Sequence, residues 1–200
     1  MTTLSAADVR RLYESTGALL TGHFRLTSGL HSDTYLQSAL VLQHPDDARR
    51  LGAALAEPFR SLRVEVVVAP AIGGILVAHE VARGLAARGL FTEREDGRMM
   101  LRRGFRLQPG ERCLVVEDVI TTGGSTREVI AAVETARGVV VGVGALVDRS
   151  GGKAALPEPH AALLTLEAPT YPPDACPLCR QGLPIVKPGS RPSGGSAGVR

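Results

Sequence analysis

Between Cys113 and Thr126 the chain reads CLVVEDVITTGGST, and no other stretch limits the possible folds as much. Leu114, Val115 and Val116 form an apolar run of strand length that ends in two adjacent acids, Glu117 and Asp118. A loop of hydroxyls and glycines follows, and from about Thr126 the apolar residues recur at helical spacing, with Val129, Ile130 and Val133 on the inward face. A second unit of this kind lies upstream: a β-branched run over 64–69, a turn from Pro70 through Gly74, and a helical pattern over 75–88. Repeated strand–turn–helix units imply a mainly parallel sheet with helices on both faces, joined by right-handed crossovers. In such a sheet, ligands bind beyond the carboxyl ends of the strands.

The chemistry of the first unit suits a phosphorylated sugar. Loop N–H groups and the positive end of a helix dipole favour phosphate. Glycines allow close backbone approach and positive φ. Two carboxylates can hold ribose hydroxyls, or Mg²⁺ through water, since that ion prefers oxygen ligands and keeps several waters. Rival phosphate motifs do not fit. The chain has no G-x-x-x-x-G-K-[ST], and Gly142-Val143-Gly144 lies inside an apolar run instead of opening a helix.

A length of 200 residues suits one core with a small appendage. With 44% hydrophobic residues but only 4% aromatic, that core must be built from Leu, Val and Ala. No run of 18 apolar residues and no leader pattern occurs, so a cytoplasmic protein without a membrane anchor is expected. The net charge of +3 is scattered and lacks accompanying aromatics, which argues against a nucleic-acid surface and is compatible with small anionic substrates. Lys153 and Lys187 are the only lysines; all other basic residues except the histidines are arginine, which grips phosphate bidentately.

Taken in order, Ser5 to Asp8 should cap a helix whose stripe is Val9, Leu12, Tyr13, Thr16, Leu19 and Leu20. Residues 22–37 read as a hairpin-like hood. A helix is expected from Pro45 to about residue 61. Asp96-Gly97 sits between alternating segments within 90–107, a hairpin signal. Residues 138–147 read as a buried strand ending in Asp148-Arg149, and 161–167 as another. The expected division is 1–40 (helix and hood), 41–168 (α/β core), 169–188 (a Pro/Cys segment on the core) and 189–200 (a disordered Ser/Gly/Pro tail). The single Cys176-x-x-Cys179 could be half of a zinc site with Cys113 or His160, a labile redox pair, or two packed thiols.

The string from Cys113 to Thr126 closely resembles the phosphoribosyl-pyrophosphate (PRPP) signature of the type I phosphoribosyltransferases. Gly22, Phe24, Leu26, Ser28, Gly29, Ser32 and Tyr35 are similar to the base-capping N-terminal segment of the orotate branch. The resemblance implies the type I phosphoribosyltransferase fold with a small N-terminal hood, and a glycosyltransferase that uses Mg²⁺. Orotate and PRPP would give orotidine 5′-monophosphate and pyrophosphate, in pyrimidine (UMP) synthesis. It assigns PRPP to Glu117, Asp118, Val119, Ile120, Thr121, Thr122, Gly123, Gly124 and Ser125, and pyrophosphate to the turn Ala71, Ile72, Gly73 and Gly74. It assigns orotate to Ser28, Gly29, Tyr35, Thr121 and Arg149. Catalytic roles fall to Asp118 and to lid arginines Arg94, Arg102 and Arg103, with Arg98 a further cation. No residue is expected to bind Mg²⁺ directly, and a homodimer is implied.

The sequence departs from that pattern where Thr27 and Gly73 stand at positions many orotate enzymes fill with lysine. Glu95 and Asp96 follow Arg94 in place of a Lys-rich run with a histidine. Two other readings compete: a purine or xanthine phosphoribosyltransferase, and a PRPP- or nucleotide-sensing regulator on the same fold.

Overall fold

The computed structural model describes residues 4–26 and 28–188. Thr27 and the tail over 189–200 lie outside the described residues. The chain divides into two compact units: 1–19 with 36–167, and 20–35 with 168–200. This boundary differs from the expected one in two ways. The N-terminal helix belongs with the α/β core, and the described segment over 168–188 belongs with the hood.

In the larger unit, helix α1 (Ala6–Ser15) opens with a capping box in which Ser5 and Asp8 satisfy each other's backbone N–H groups. It buries Val9 and Tyr13. The expected stripe does not continue to Leu19 and Leu20, because Gly17 takes φ +70° and turns the chain out of the helix. Strand β1 (Leu19–Arg25) therefore begins where helical periodicity alone would have continued. After β2 (His31–Leu36) come a short helix α2 (Ala39–Leu42) and then α3 (Pro45–Ala56), with Pro45 in its first turn. A 3-10 segment over Glu57–Leu62 follows, so the α-helix ends earlier than residue 61.

The core sheet comprises β3 (Val66–Pro70), β4 (Arg88–Glu95), β5 (Arg98–Leu101), β6 (Arg112–Ile120), β7 (Val139–Asp148) and β8 (His160–Thr165). Their order is β5-β4-β3-β6-β7-β8. All pairings are parallel except β4 with β5. Helices α4 (Gly74–Leu85) and α5 (Gly124–Thr135) provide the crossovers. Alternation along the strands sorts the core. Val66, Val68, Cys113, Val115, Val143 and Ala145 share a cluster with Val129, Ile130 and Val133 of α5. Meanwhile α4 packs on β3 and β4, and α3 on α4, β7 and β8.

The 90–107 segment combines two roles. Asp96 (φ +48°) and Gly97 (φ +80°) form the expected tight turn between β4 and β5. However, β4 also runs parallel to β3 from Val66↔Arg88 to Pro70↔Thr92. The hairpin is thus the outer extension of a core strand, and not a free-standing flap.

The smaller unit is a three-stranded sheet, β1-β2-β9, where β9 is Thr170–Tyr171. A short helix α6 (Pro177–Arg180) follows. Val186 bridges to Phe24 in parallel, and the Phe24 and Tyr35 rings lie 5.7 Å apart. Cys113 and His160 are not partners of the cysteine pair. Cys113 is enclosed in β6, and His160 begins β8 with Nδ1 3.0 Å from Glu158; both belong to the larger unit. Among the described residues, no helix is long and apolar enough to cross a membrane.

Candidate active site

Two strand-to-helix turns meet at the carboxyl ends of β3 and β6, which are neighbours in the sheet. After β6 the chain passes through exposed Thr121 and Thr122 to Gly123, which has φ +75° and caps α5. A side chain here would be strained whatever the space available. Arg127, one turn into α5, donates to the carbonyls of Thr122 (3.0 Å) and Ala155 (3.3 Å), fastening the loop from behind. Strand β6 does not stop at the acids, as the sequence suggested, but carries them within it as far as Ile120. α5 starts at Gly124, two residues earlier than expected. Ser125 and the N–H groups of the first turn therefore stand directly after the loop.

Gly73, in the turn after β3, serves a different need. Its φ is an ordinary −58°, but a Cβ there would stand 2.7 Å from Oδ1 of Asp118 and 2.9 Å from its Cγ. The backbone of one turn thus lies against the carboxylate of the other. A side chain at residue 73 would compete with the Asp118 carboxylate for that space. The turn is held in place by the Ala71 N–H, which donates to the Thr92 carbonyl (2.8 Å).

The two acids differ in environment. Glu117 is buried and accepts a hydrogen bond from the Thr126 hydroxyl at 3.2 Å. Burial, reinforced by the charge of Asp118, pushes its carboxyl up to about 8, although Thr126 opposes the shift. Asp118 is half-buried and also raised, chiefly by desolvation, but the Val119 N–H and the Ser38 hydroxyl favour its charged form. Ser38 in turn lies 3.2 Å from the buried Tyr13 hydroxyl, whose ionisation is pushed up by burial. A chain Tyr13–Ser38–Asp118 therefore orients the second acid. Sequence reasoning missed both supporting roles: Tyr13 read as ordinary packing in the N-terminal helical stripe, and Ser38 falls between the hood and the next expected helix, far from the motif.

The lid arginines already have partners. Arg94 pairs with Glu128 of α5 and donates to the Gly97 carbonyl at 2.7 Å. Arg102 is 3.1 Å from Glu95, and Arg103 makes a two-pronged contact with Glu93 at 2.7 Å. The side chains of the Arg94–Glu128 pair are 47% and 44% exposed, so it contributes only ~0–1 kcal/mol. An incoming polyanion can therefore displace Glu128 at small cost.

At the end of β7, the Asp148 carboxylate accepts the N–H groups of Ser150 (2.7 Å) and Gly152 (3.1 Å), shaping the following loop. The Arg149 N–H donates to the Ile120 carbonyl at 2.8 Å, which sets Arg149 beside the β6–α5 loop. An open cleft of about 590 Å³ is lined by Thr121, Thr122, Arg127, Ser150, Lys153, Ala154 and Ala155. Lys153, whose Nζ lies 2.7 Å from Glu167, was not singled out by its sequence context. Of the remaining expected residues, Ser28 and Gly29 (φ +86°) form the β1–β2 turn, and Tyr35 lies on β2 of the smaller unit.

A parallel α/β sheet that brings a Gly-rich loop, two acids and a second glycine turn to one edge defines a phosphoribosyltransferase. The phosphoribosyl transferase domain family matches residues 40–160, and the chain belongs to it. Within that family it stands with the orotate phosphoribosyltransferases. The orotate phosphoribosyltransferase of Desulforamulus reducens is 59% identical over 188 residues, which is 94% of this chain and 98% of that protein. The crystal structure of orotate phosphoribosyltransferase from Aeropyrum pernix superposes with a TM-score of 0.62 at 25% identity, covering 79% of this chain and 93% of that one. Adenine phosphoribosyltransferase from Rhodothermus marinus gives 0.61 at 26%, covering 78% and 99%. The fold is thus common to enzymes acting on different bases.

Proposed function

We propose that this chain transfers the 5-phosphoribosyl group of PRPP to orotate, forming orotidine 5′-monophosphate and releasing pyrophosphate in pyrimidine synthesis. The observation that carries the reading is the contact of the Ala71–Gly74 turn with Asp118 at the edge of the β6–α5 loop. A ligand with a phosphate at one end and a pyrophosphate at the other needs two phosphate-binding turns at a common ribose anchor. The full-length likeness to orotate enzymes supports orotate as the base.

In this reading the bond from C1′ to pyrophosphate breaks as the bond to a ring nitrogen of orotate forms, through an oxocarbenium-like transition state, and the proton of that nitrogen passes to the departing pyrophosphate or to solvent. The N–H groups and hydroxyls over 121–125 hold the 5′-phosphate. Asp118 accepts a hydrogen bond from a ribose hydroxyl. Glu117 engages the other ribose hydroxyl through its carboxyl oxygens. Backbone groups of residues 71–74, with Arg94, Arg102 and Arg103, receive the charge that develops on pyrophosphate. Arg149 and Thr121 recognise orotate, a planar guanidinium suiting its carboxylate. The lid hairpin excludes water from the activated sugar.

The donor set fits Mg²⁺. Two raised carboxyls offer only oxygen and sit where burial disfavours negative charge, so a dication held through PRPP and water would favour their charged forms. When bound, Mg²⁺ supplies charge neutralisation on the leaving pyrophosphate. The protein is proposed to be cytoplasmic, with small-molecule partners only, and to act as a homodimer; a fully active monomer at assay concentration would refute the last point.

The test is loss of orotate absorbance with PRPP and Mg²⁺, beside adenine, hypoxanthine, xanthine and uracil. Orotate turnover alone is expected. Turnover with a purine only would leave the PRPP site standing and remove the orotate assignment. PRPP binding without turnover of any base would favour a regulator.

A further inference from the structure

The smaller unit brings together four side chains that phosphoribosyl transfer does not use. His23 lies on β1, His31 opens β2, and Cys176 and Cys179 lie at the start and within the first turn of α6. His23 Nε2 is 3.1 Å from His31 Nδ1, and 3.6 Å from the Sγ atoms of both Cys176 and Cys179; Cys179 Sγ is 3.3 Å from His31 Nδ1. All four ligand atoms lie within 4.8 Å of one another.

The four short separations are close to the edge lengths of a tetrahedral site. Zinc–nitrogen bonds of about 2.0–2.1 Å and zinc–sulfur bonds of about 2.3 Å place neighbouring ligand atoms about 3.3 to 3.8 Å apart. Hydrogen bonding alone does not explain the cluster. His23 Nδ1 lies 2.8 Å from the Leu183 carbonyl, which can only accept, so Nδ1 carries the proton and Nε2 presents its lone pair. One lone pair cannot serve three neighbours at once, but it can serve a cation at their centre. A ligand histidine oriented through its other nitrogen by a backbone carbonyl is the usual outer support of a metal site. Here the loop that follows the cysteines provides it.

We infer that His23, His31, Cys176 and Cys179 form a closed, four-coordinate site for a divalent transition metal, zinc by its N₂S₂ donor set. With four protein ligands no position is left for substrate, so the ion is structural. It staples the C-terminal segment to the β1–β2 hairpin. Among the described residues of this unit the buried side chains are few, namely Phe24, Ser32 and three of the four ligands, His23, His31 and Cys176, while Cys179 is exposed; small units of this kind commonly need a metal or disulfide. The inference does not depend on which base the enzyme uses.

The test is elemental analysis of untagged full-length protein purified without chelator, paired with Co²⁺ substitution of the stripped protein. About one zinc per chain is expected, and Co²⁺ should give the intense visible bands of tetrahedral thiolate coordination. Cys179→Ser and His31→Asn should each lower metal content at least about tenfold, whereas His160→Asn should retain it. Because ligand variants can fail to fold, the Co²⁺ spectrum of the wild-type protein decides independently. Metal-free protein with no such spectrum, or a Cys176–Cys179 disulfide in freshly purified protein, would overturn the inference.

Discussion

The two glycine turns of the core perform related tasks by opposite means. The β6–α5 turn uses Gly123 for its dihedral angle, φ +75°, and surrounds it with hydroxyls and acids. In the β3–α4 turn, Gly73 has an ordinary backbone and needs only the absence of a Cβ, because Asp118 fills that space. The first is a site in its own right, whereas the second becomes one by its proximity to the first. A glycine in a βα turn therefore carries functional meaning only when its neighbour across the sheet is known.

This contrast can be tested at several strengths. The largest effect is expected at Asp118, where both turns converge: Asp118→Asn should lower kcat by about 10²–10³-fold with little change in fold, measured by steady-state kinetics and circular dichroism. Next is Gly73→Ala, which displaces Asp118 by close contact. A loss of about 10- to 100-fold in kcat/KM for PRPP is expected, as is typical for a misplacement of about 1 Å.

Glu117 gives a pH signature. Its folded-state carboxyl is raised, so the folded protein holds a proton that the unfolded chain has released. The contribution of this group to stability is thus full below the ordinary carboxylate range and is lost as pH rises towards about 8. The slope cannot exceed about 1.4 kcal/mol per pH unit for this one group. Glu117→Gln should flatten that part of the curve in denaturant titrations, while leaving an enzyme of reduced kcat/KM.

Gly123→Ala, which combines an unfavourable positive φ with a Cβ 3.0 Å from Arg127 Nη1 and 3.2 Å from Leu156 Cδ2, should cost at least about 1–2 kcal/mol of stability. For a chain of this size that corresponds to a thermal midpoint lowered by about 2–8 °C. Smallest of all, Glu128→Ala removes the resting partner of Arg94. It should lower KM for PRPP by no more than about threefold and change stability by less than about 1 kcal/mol.

Features local in sequence were legible: the capping box at Ser5 and Asp8, the Asp96-Gly97 turn, the two βα units and the acid pair. What could not be read depended on distant groups or on a single dihedral angle. Leu19 and Leu20 continue a helical period, yet Gly17 ends the helix before them. Residues from 90 onward alternate as a hairpin strand should, and only the pairing of β4 with β3 makes their first part a piece of the core. The Tyr13–Ser38–Asp118 chain and the approach of Gly73 to Asp118 both join segments far apart in sequence. The Cys176-x-x-Cys179 pair was visible, but its histidines lie about 150 residues upstream, across the whole core.

The central claim is that the two turns form one site through Asp118. The most direct measurement is PRPP affinity in a cycle of Gly73→Ala, Asp118→Ala and the double variant. With the side chain at 118 removed, the Cβ at 73 has nothing to displace, so Gly73→Ala should then cost less than about twofold, against at least about tenfold in the wild-type background. Equal losses in both backgrounds would contradict the account.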